Sequence, residues 1–203
     1  MSKKVIVLLA EGFEEVEAIT PIDYLRRAGI DVTTAAIGIK NGENTVKSAR
    51  GIPVIADAAF SSLMEGGKAG EWDGVVVPGG LPGSDNLAAS ADVGAFLVEM
   101  AGAGKLVSAI CAAPARVLCP LGLLKGKNFT CYPGEEEKVL AFGSSSPGAA
   151  WREDRVVIDG NLITSRSAGS AGEFSCAIIS YLLGKEEGEK IAQKVLLNLK
   201  NEV

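Results

Sequence analysis

The sequence contains no histidine. Its four cysteines, Cys111, Cys119, Cys131 and Cys176, include no CxxC pair. A zinc site built from cysteine and histidine is thereby excluded, and no metal or cofactor is expected. Without imidazole, no side chain has an unperturbed pKa between about 5 and 8. Any activity change near neutral pH must come from a shifted cysteine, a shifted carboxyl or the terminal amine. The formal charge is -5, with no long run of either sign and no basic stripe, so nucleic acid is not an expected partner. No apolar run approaches the roughly 18 residues of a membrane span. The apolar stretch from Val5 to Ala10 is followed by Glu11, Glu14, Glu15 and Glu17 rather than by small residues fit for cleavage. It reads as a first strand and not as a signal peptide. Widely spaced cysteines without such a peptide indicate a reducing, cytoplasmic location. The sequon at Asn128 is accidental on this reading.

What the chain does have is an ordinary globular composition. It is 203 residues long, 47% hydrophobic and 22% charged, with 25 glycines scattered between periodic segments. No repeat or compositional break divides it, and the loosest stretch, residues 144–148, is too short to separate domains. One domain over residues 1–203 is expected. Strands are expected at 4–10, 30–37, 74–77, 105–110 and 128–131. Hairpins are expected at 45–50 with 53–56, turned at Gly51, and at 156–158 with 162–165. Helices are expected at 14–28, 92–103, 113–121, 172–183 and 187–199. In the first helix Val16, Ile19, Ile22, Leu25 and Ala28 recur at three residues; Pro21 should bend or break it, and Gly29 ends it. Alternating strands and helices predict an α/β fold with a doubly wound, mostly parallel sheet. Ligands in such sheets bind beyond the carboxyl ends of the strands. Three of those ends carry chemical groups here.

The first is the segment VSAICAAP. Cys111 follows a strand and precedes small residues and a helix start, the layout of a nucleophile elbow. A helix N-terminus beside the sulfur favours thiolate. The other three cysteines read as packing residues; Cys119 and Cys176 lie in apolar helical patterns. The second end is Pro78-Gly79-Gly80, which is either a plain tight turn or a pair of amides aimed at a developing oxyanion. With Gly83 it makes GGxxG, a poor match to a dinucleotide fingerprint. The third is the cluster Glu11, Glu14, Glu15 and Glu17. Acids at a helix start complement its dipole. Glu17 falls one turn further in, where burial near a thiolate would raise its pKa and let it pass a proton to sulfur.

The run GFEEVEAITPID, the strand end VVVPGG, the elbow AICAAP and the later ITSRSAG…EF resemble the ThiJ/PfpI superfamily, nearest its DJ-one and bacterial ThiJ-like branch. The resemblance runs over almost the whole chain. It implies a flavodoxin-like sandwich, related to class I glutamine amidotransferases, that forms a homodimer. It implies Cys111 as nucleophile and Glu17 as the protonated carboxyl beside it, with the amides of Gly79, Gly80 and Ala112 forming the pocket. It places the family's arginine, which reaches this site across the dimer interface, at Arg50. Arg166 lies in the family's loop near the pocket, with an ion pair to Glu173 or another acid as the plain alternative. Tyr132 stands where some relatives carry a histidine. Peptidase or amidotransferase chemistry by a Cys–His pair is impossible in a chain without histidine.

Two functions follow. One is a cofactor-independent glyoxalase or deglycase, acting through Cys111 and Glu17 on methylglyoxal, glyoxal or early glycation adducts. The other is an oxidative-stress sensor or chaperone whose cysteine is oxidised without turnover. The thiamine-biosynthesis label of ThiJ-like proteins finds no supporting residue.

Overall fold

A run of apolar side chains without a polar break must be covered on both faces, and Val5, Ile6, Val7, Leu8 and Leu9 have no exposed surface at all. They belong to β1 (Lys4–Leu9), which lies between β2 (Asp31–Ala36) and β6 (Gly74–Val77), parallel to both. The computed structural model describes residues 2–39, 44–65, 69–141 and 145–198. Beyond β6 come β7 (Leu106–Ile110), β11 (Leu162–Ser165) and the edge strand β10 (Val156–Asp159). The two-residue β5 (Ala58–Ala59) closes the other edge beside β2. All neighbours in this sheet are parallel except β10 and β11, which form the expected hairpin.

Alternate residues of β1 feed two cores. Val5, Val7 and Leu9 pack with Ile22 and Leu25 of α1 (Glu15–Arg27) and with Phe174 and Ile178 of α6 (Ala171–Leu183). Ile6 and Leu8 pack on the other face with Phe96, Leu97 and Met100 of α4 (Ala91–Gly102). The sheet is therefore sandwiched by helices, as predicted. From β1 the chain moves first to β2 on one side and later to β6 on the other. That reversal opens a crevice above the carboxyl ends of β1 and β6.

Several boundaries differ from expectation. The α1 helix runs through Pro21 without a break. Proline lacks an N–H, so only one intrahelical bond, to the Glu17 carbonyl, is forfeited. Gly29, at φ +78°, ends the helix with paired bonds: its N–H to the Arg26 carbonyl and the Ile30 N–H to the Leu25 carbonyl, both 3.1 Å. Only part of the three-residue stripe is buried: Ile22 and Leu25 face inward, but Val16 and Ile19 are exposed. Glu17, Ala18 and Pro21 complete the inward face.

The expected helix at 113–121 shrinks to one π-helical turn, Pro114–Leu118, where the Cys119 N–H reaches the Pro114 carbonyl five residues back at 3.0 Å. The 128–131 strand is only Asn128–Phe129, paired with Ala150–Trp151 outside the main sheet. The hairpin at Gly51 forms as Thr45–Lys47 and Pro53–Ile55, again separate from the main sheet. The last helix is Lys185–Lys194; Ser144, Leu199 and the C-terminal residues after it lie outside the described residues. Short helices at Phe60–Met64, Gly83–Ala88 and Glu136–Ala141 carry too few turns to show a period. Among the described residues no helix is long and apolar enough to cross a membrane.

Candidate active site

Cys111 follows β7 directly and has φ +65°, a left-handed conformation that few side chains adopt. It is held there from both sides: its N–H donates to the Ser165 carbonyl at 2.9 Å, and its carbonyl accepts from the Tyr132 N–H at 2.8 Å. The turn throws the side chain off the sheet into a cavity of about 470 Å³. Backbone strain fixed by neighbours in this way is a feature of functional positions. The other three cysteines are buried, as read from the sequence, and no disulfide joins any of the four.

Glu17 reaches the same cavity from the inward face of α1. Its residue is 1% exposed, and its carboxyl is hydrogen-bonded to the Cys111 thiol. Burial raises its pKa to about 7, against the stabilising pull of that bond; the charge of Glu14 adds to the rise. A carboxyl raised this far exchanges its proton near neutral pH. The Gly79 N–H donates to its Oε2 at 3.0 Å. The Ala168 amide also faces it.

That bond corrects one expectation. The Gly79 amide is engaged by Glu17 and is not free to hold an oxyanion. The amides that face the sulfur are those of Gly80 and Ala112. Gly79 is needed for closeness instead: a Cβ there would lie 2.5 Å from Glu17 Oε2 and 2.6 Å from Cys111 Cβ. Gly80 has φ +91°, and a Cβ on it would lie 2.3 Å from the Glu14 nitrogen.

A second correction concerns the sulfur's charge. No regular helix follows the elbow, so there is little dipole to lower the thiol. Burial, and then the charge of an ionised Glu17, push Cys111 upward, while the Ala112 and Gly80 amides pull it down. Once Glu17 is protonated its charge disappears and it becomes a donor to sulfur. One proton shared between the two groups is the consistent arrangement.

Arg50 sits at the cavity rim of its own chain, 3.9 Å from the Glu14 carboxylate and largely exposed. The hairpin carries it there, because the Gly12 N–H bonds the Lys47 carbonyl at 2.8 Å and the Ala49 N–H bonds the Phe13 carbonyl at 2.7 Å. No second copy is needed to place it. Tyr132 stands at the mouth, half exposed. Arg166 does not line the cavity. Its guanidinium donates to the Glu153 carbonyl at 2.9 Å and lies 3.8 Å from that residue's carboxylate. Glu173 is taken by Arg155.

Glu14, Leu81, Glu135, Ser167 and Ala168 also line the cavity and were not singled out from sequence. Glu14 lies in the acidic run, Leu81 directly follows the Pro-Gly-Gly strand end, and Ser167 and Ala168 lie in ITSRSAG; Glu135 comes from a loop that no local pattern places. Glu135 is held bidentately by Arg116 at 2.8 and 3.0 Å, and Arg116 also binds Asp85 at 2.7 Å. These bonds tie the Tyr132–Glu135 wall to the turn after Cys111. Arg116→Ala leaves the 12% exposed Glu135 side chain with Lys138 alone. We expect a loss of about 1–3 kcal/mol, seen as a lower Tm. Among the described residues no three His, Cys, Asp or Glu side chains are grouped to hold a metal ion.

Known proteins resemble this chain over nearly its whole length. The model of the DJ-1/PfpI family matches residues 3–181. Protein dj-1beta of Drosophila melanogaster is 39% identical over 97% of this chain and 98% of its own length. A crystal structure of Drosophila melanogaster DJ-1beta superposes with a TM-score of 0.86, covering 98% of this chain and 100% of that one. Glutathione-independent glyoxalase DJR-1.2 of Caenorhabditis elegans is 31% identical over 95% of both chains. With its flavodoxin-like sheet and a match that spans nearly all of the sequence, the chain belongs to the DJ-1/PfpI family.

Proposed function

We propose that this protein is a cysteine-dependent glyoxalase or deglycase that converts 2-oxoaldehydes to 2-hydroxy acids without metal or glutathione. The observation that carries this is the pairing of Cys111 with a buried, proton-holding Glu17 in a cavity where two further amides face the sulfur. A relative named as a glutathione-independent glyoxalase supports the same reading.

With methylglyoxal, the Cys111 thiolate forms a C–S bond to the aldehyde carbon. The carbonyl electron pair moves to oxygen, where the Gly80 and Ala112 N–H groups stabilise it. Glu17 gives that oxygen its proton, and the product is a hemithioacetal. Glu17, now ionised, takes the proton from the same carbon, forms an enediolate, and returns the proton to the neighbouring carbon. The hydroxyl proton passes from the first oxygen to the second, leaving a 2-hydroxy thioester. Water adds to the thioester carbon and gives a proton back to Glu17, the C–S bond breaks, and lactic acid leaves with the thiolate and the protonated carboxyl both restored. The balance is one methylglyoxal and one water to one lactic acid. Early glycation adducts meet the same nucleophile, and removal of free aldehyde reverses them as well. Measuring lactate from methylglyoxal without glutathione tests the proposal; no turnover by the wild type would end it.

A second reading rests on those same donors. Gly80, Ala112 and protonated Glu17 are placed to hold an oxygen on an oxidised Cys111, which suits a stress sensor or chaperone. Mass spectrometry after mild peroxide, in a protein without turnover, would favour it. The four unpaired cysteines suit a reducing compartment, and we place the protein in the cytoplasm.

We also propose a homodimer. Val16, Ile19 and Ile52 are 42–50% exposed and Ile55 is 80% exposed, all on α1 or the adjoining hairpin segment. Light scattering should give twice the chain mass, and Ile19→Glu should shift it toward the monomer.

A further inference from the structure

The hydrogen-bonding groups that meet Glu17 come from the ends of β6 and β7, with one exception. That exception is the Ala168 amide, which lies in a turn rather than at the end of a parallel strand. Ser167 and Ala168 form one wall of the cavity. Something must hold that turn in place, since its own residues have little apolar surface to bury.

The restraint is a web of hydroxyls beneath it. Ser165 and Ser170 are almost fully buried, and their oxygens are 2.7 Å apart. Ser165 Oγ donates its only proton to the Arg155 carbonyl at 2.8 Å. The proton of Ser170 Oγ is therefore the one available to the pair and to the Ser167 carbonyl, 2.9 Å away. Ser170 Oγ also accepts from the Ser167 N–H at 3.2 Å. On the outer side the Arg155 guanidinium donates to the Gly169 carbonyl and, through Nε, to Glu173 at 2.8 Å. Ser165, Ser170, Arg155 and Glu173 themselves do not line the cavity.

We propose that the Ser165–Ser170 pair, braced by Arg155, is a positioning device that holds the Ser167–Ala168 wall and its amide against the Glu17 carboxyl. This deepens the reading of the Cys111–Glu17 pair and rests on it, but it does not depend on which substrate is used. The titratable groups that face Glu17 are the Cys111 thiol, from the end of β7, and Glu14, from the start of its own helix. Arg50 of the hairpin segment meets Glu14 rather than Glu17. An N–H aimed at the carboxyl favours its ionised form, and the same positive end of the amide favours a nearby thiolate. Losing it moves both titrations to higher pH.

The test is the rate of Cys111 alkylation by iodoacetamide from about pH 4.5 to beyond the ordinary thiol range, followed by mass spectrometry of the Cys111 peptide. In Ser170→Ala the midpoint of the profile should rise by about half to one pH unit. Ser170→Thr, which keeps the hydroxyl, should restore the wild-type midpoint. A serine that only stabilises the fold would lower Tm and leave the midpoint where it was. An unchanged midpoint in folded Ser170→Ala overturns the proposal. Should that variant fail to fold, Arg155→Gln frees the Gly169 carbonyl and must shift the midpoint the same way; no shift there overturns it equally. Absent dicarbonyl turnover in the wild type would sink the enzyme reading and leave this readout intact.

Discussion

Cys111→Ser is expected to lose lactate formation from methylglyoxal by about three orders of magnitude or more. A serine hydroxyl must be deprotonated to attack, and the cavity holds no base fit to do it. The chain has no histidine, and the nearest carboxyl, Glu17, titrates near 7, far below a hydroxyl. Cysteine meets this problem in milder form, because a thiol, even one pushed upward by burial, gives up its proton more readily than an alcohol in the same place, and the thiolate is the stronger nucleophile. The substitution adds no atoms at a position already at φ +65°, so the fold should persist with a similar Tm. Turnover that is unchanged in Cys111→Ser would assign the chemistry elsewhere.

Glu17→Gln should combine a loss of turnover with a gain of stability at neutral pH. The amide can still accept from the Gly79 N–H, but it can neither take nor return a proton. A loss of about 10²- to 10⁴-fold in kcat is expected for a proton-transfer group. Stability moves the other way. The folded pKa is about 7 against an ordinary value of 4.5. Below pH 4.5 the carboxyl is protonated in both folded and unfolded chains, and nothing is lost. As pH rises from 4.5 through 7 the unfolded chain ionises first, and the wild type loses stability. The loss levels off above the folded pKa at about 3 kcal/mol. Glutamine has no such dependence. Thermal melts at pH 5 and pH 8 should therefore show the Glu17→Gln advantage growing with pH. A difference that stays constant between those pH values contradicts a buried, proton-holding carboxyl.

The strand ends are legible in the sequence because they depend on local composition. Val5 to Leu9 and Val75 to Val77 are unbroken apolar runs, and only strands covered on both sides suit them. Pro78-Gly79-Gly80 and Cys111 mark sharp turns by residue type alone. Glu17 was legible too, though for a better reason than its crowd of acids. It shares a helical face with Pro21, Ile22 and Leu25, so a carboxylate stands on the apolar stripe. The three-residue spacing of Val16 and Ile19 misled, because it tracked a second apolar surface of the same helix that this chain leaves uncovered. Arg166 illustrates the opposite failure. Its neighbours in sequence line the cavity, yet its side chain turns away to Glu153.

The alternation of strands with helices, the mostly parallel sheet, the absence of imidazole and the choice of Cys111 as the candidate nucleophile follow from the amino-acid sequence by itself. They rest on residue type and short-range period, and those do not change with folding. Which amide meets which atom was decided only in three dimensions. Gly79 serves Glu17 while Gly80 and Ala112 serve the sulfur, Arg50 comes to its own chain's rim, and a serine web far along the chain braces the wall. Such contacts join residues tens of positions apart, at distances set by the packing of helices against a sheet, and no local pattern encodes them.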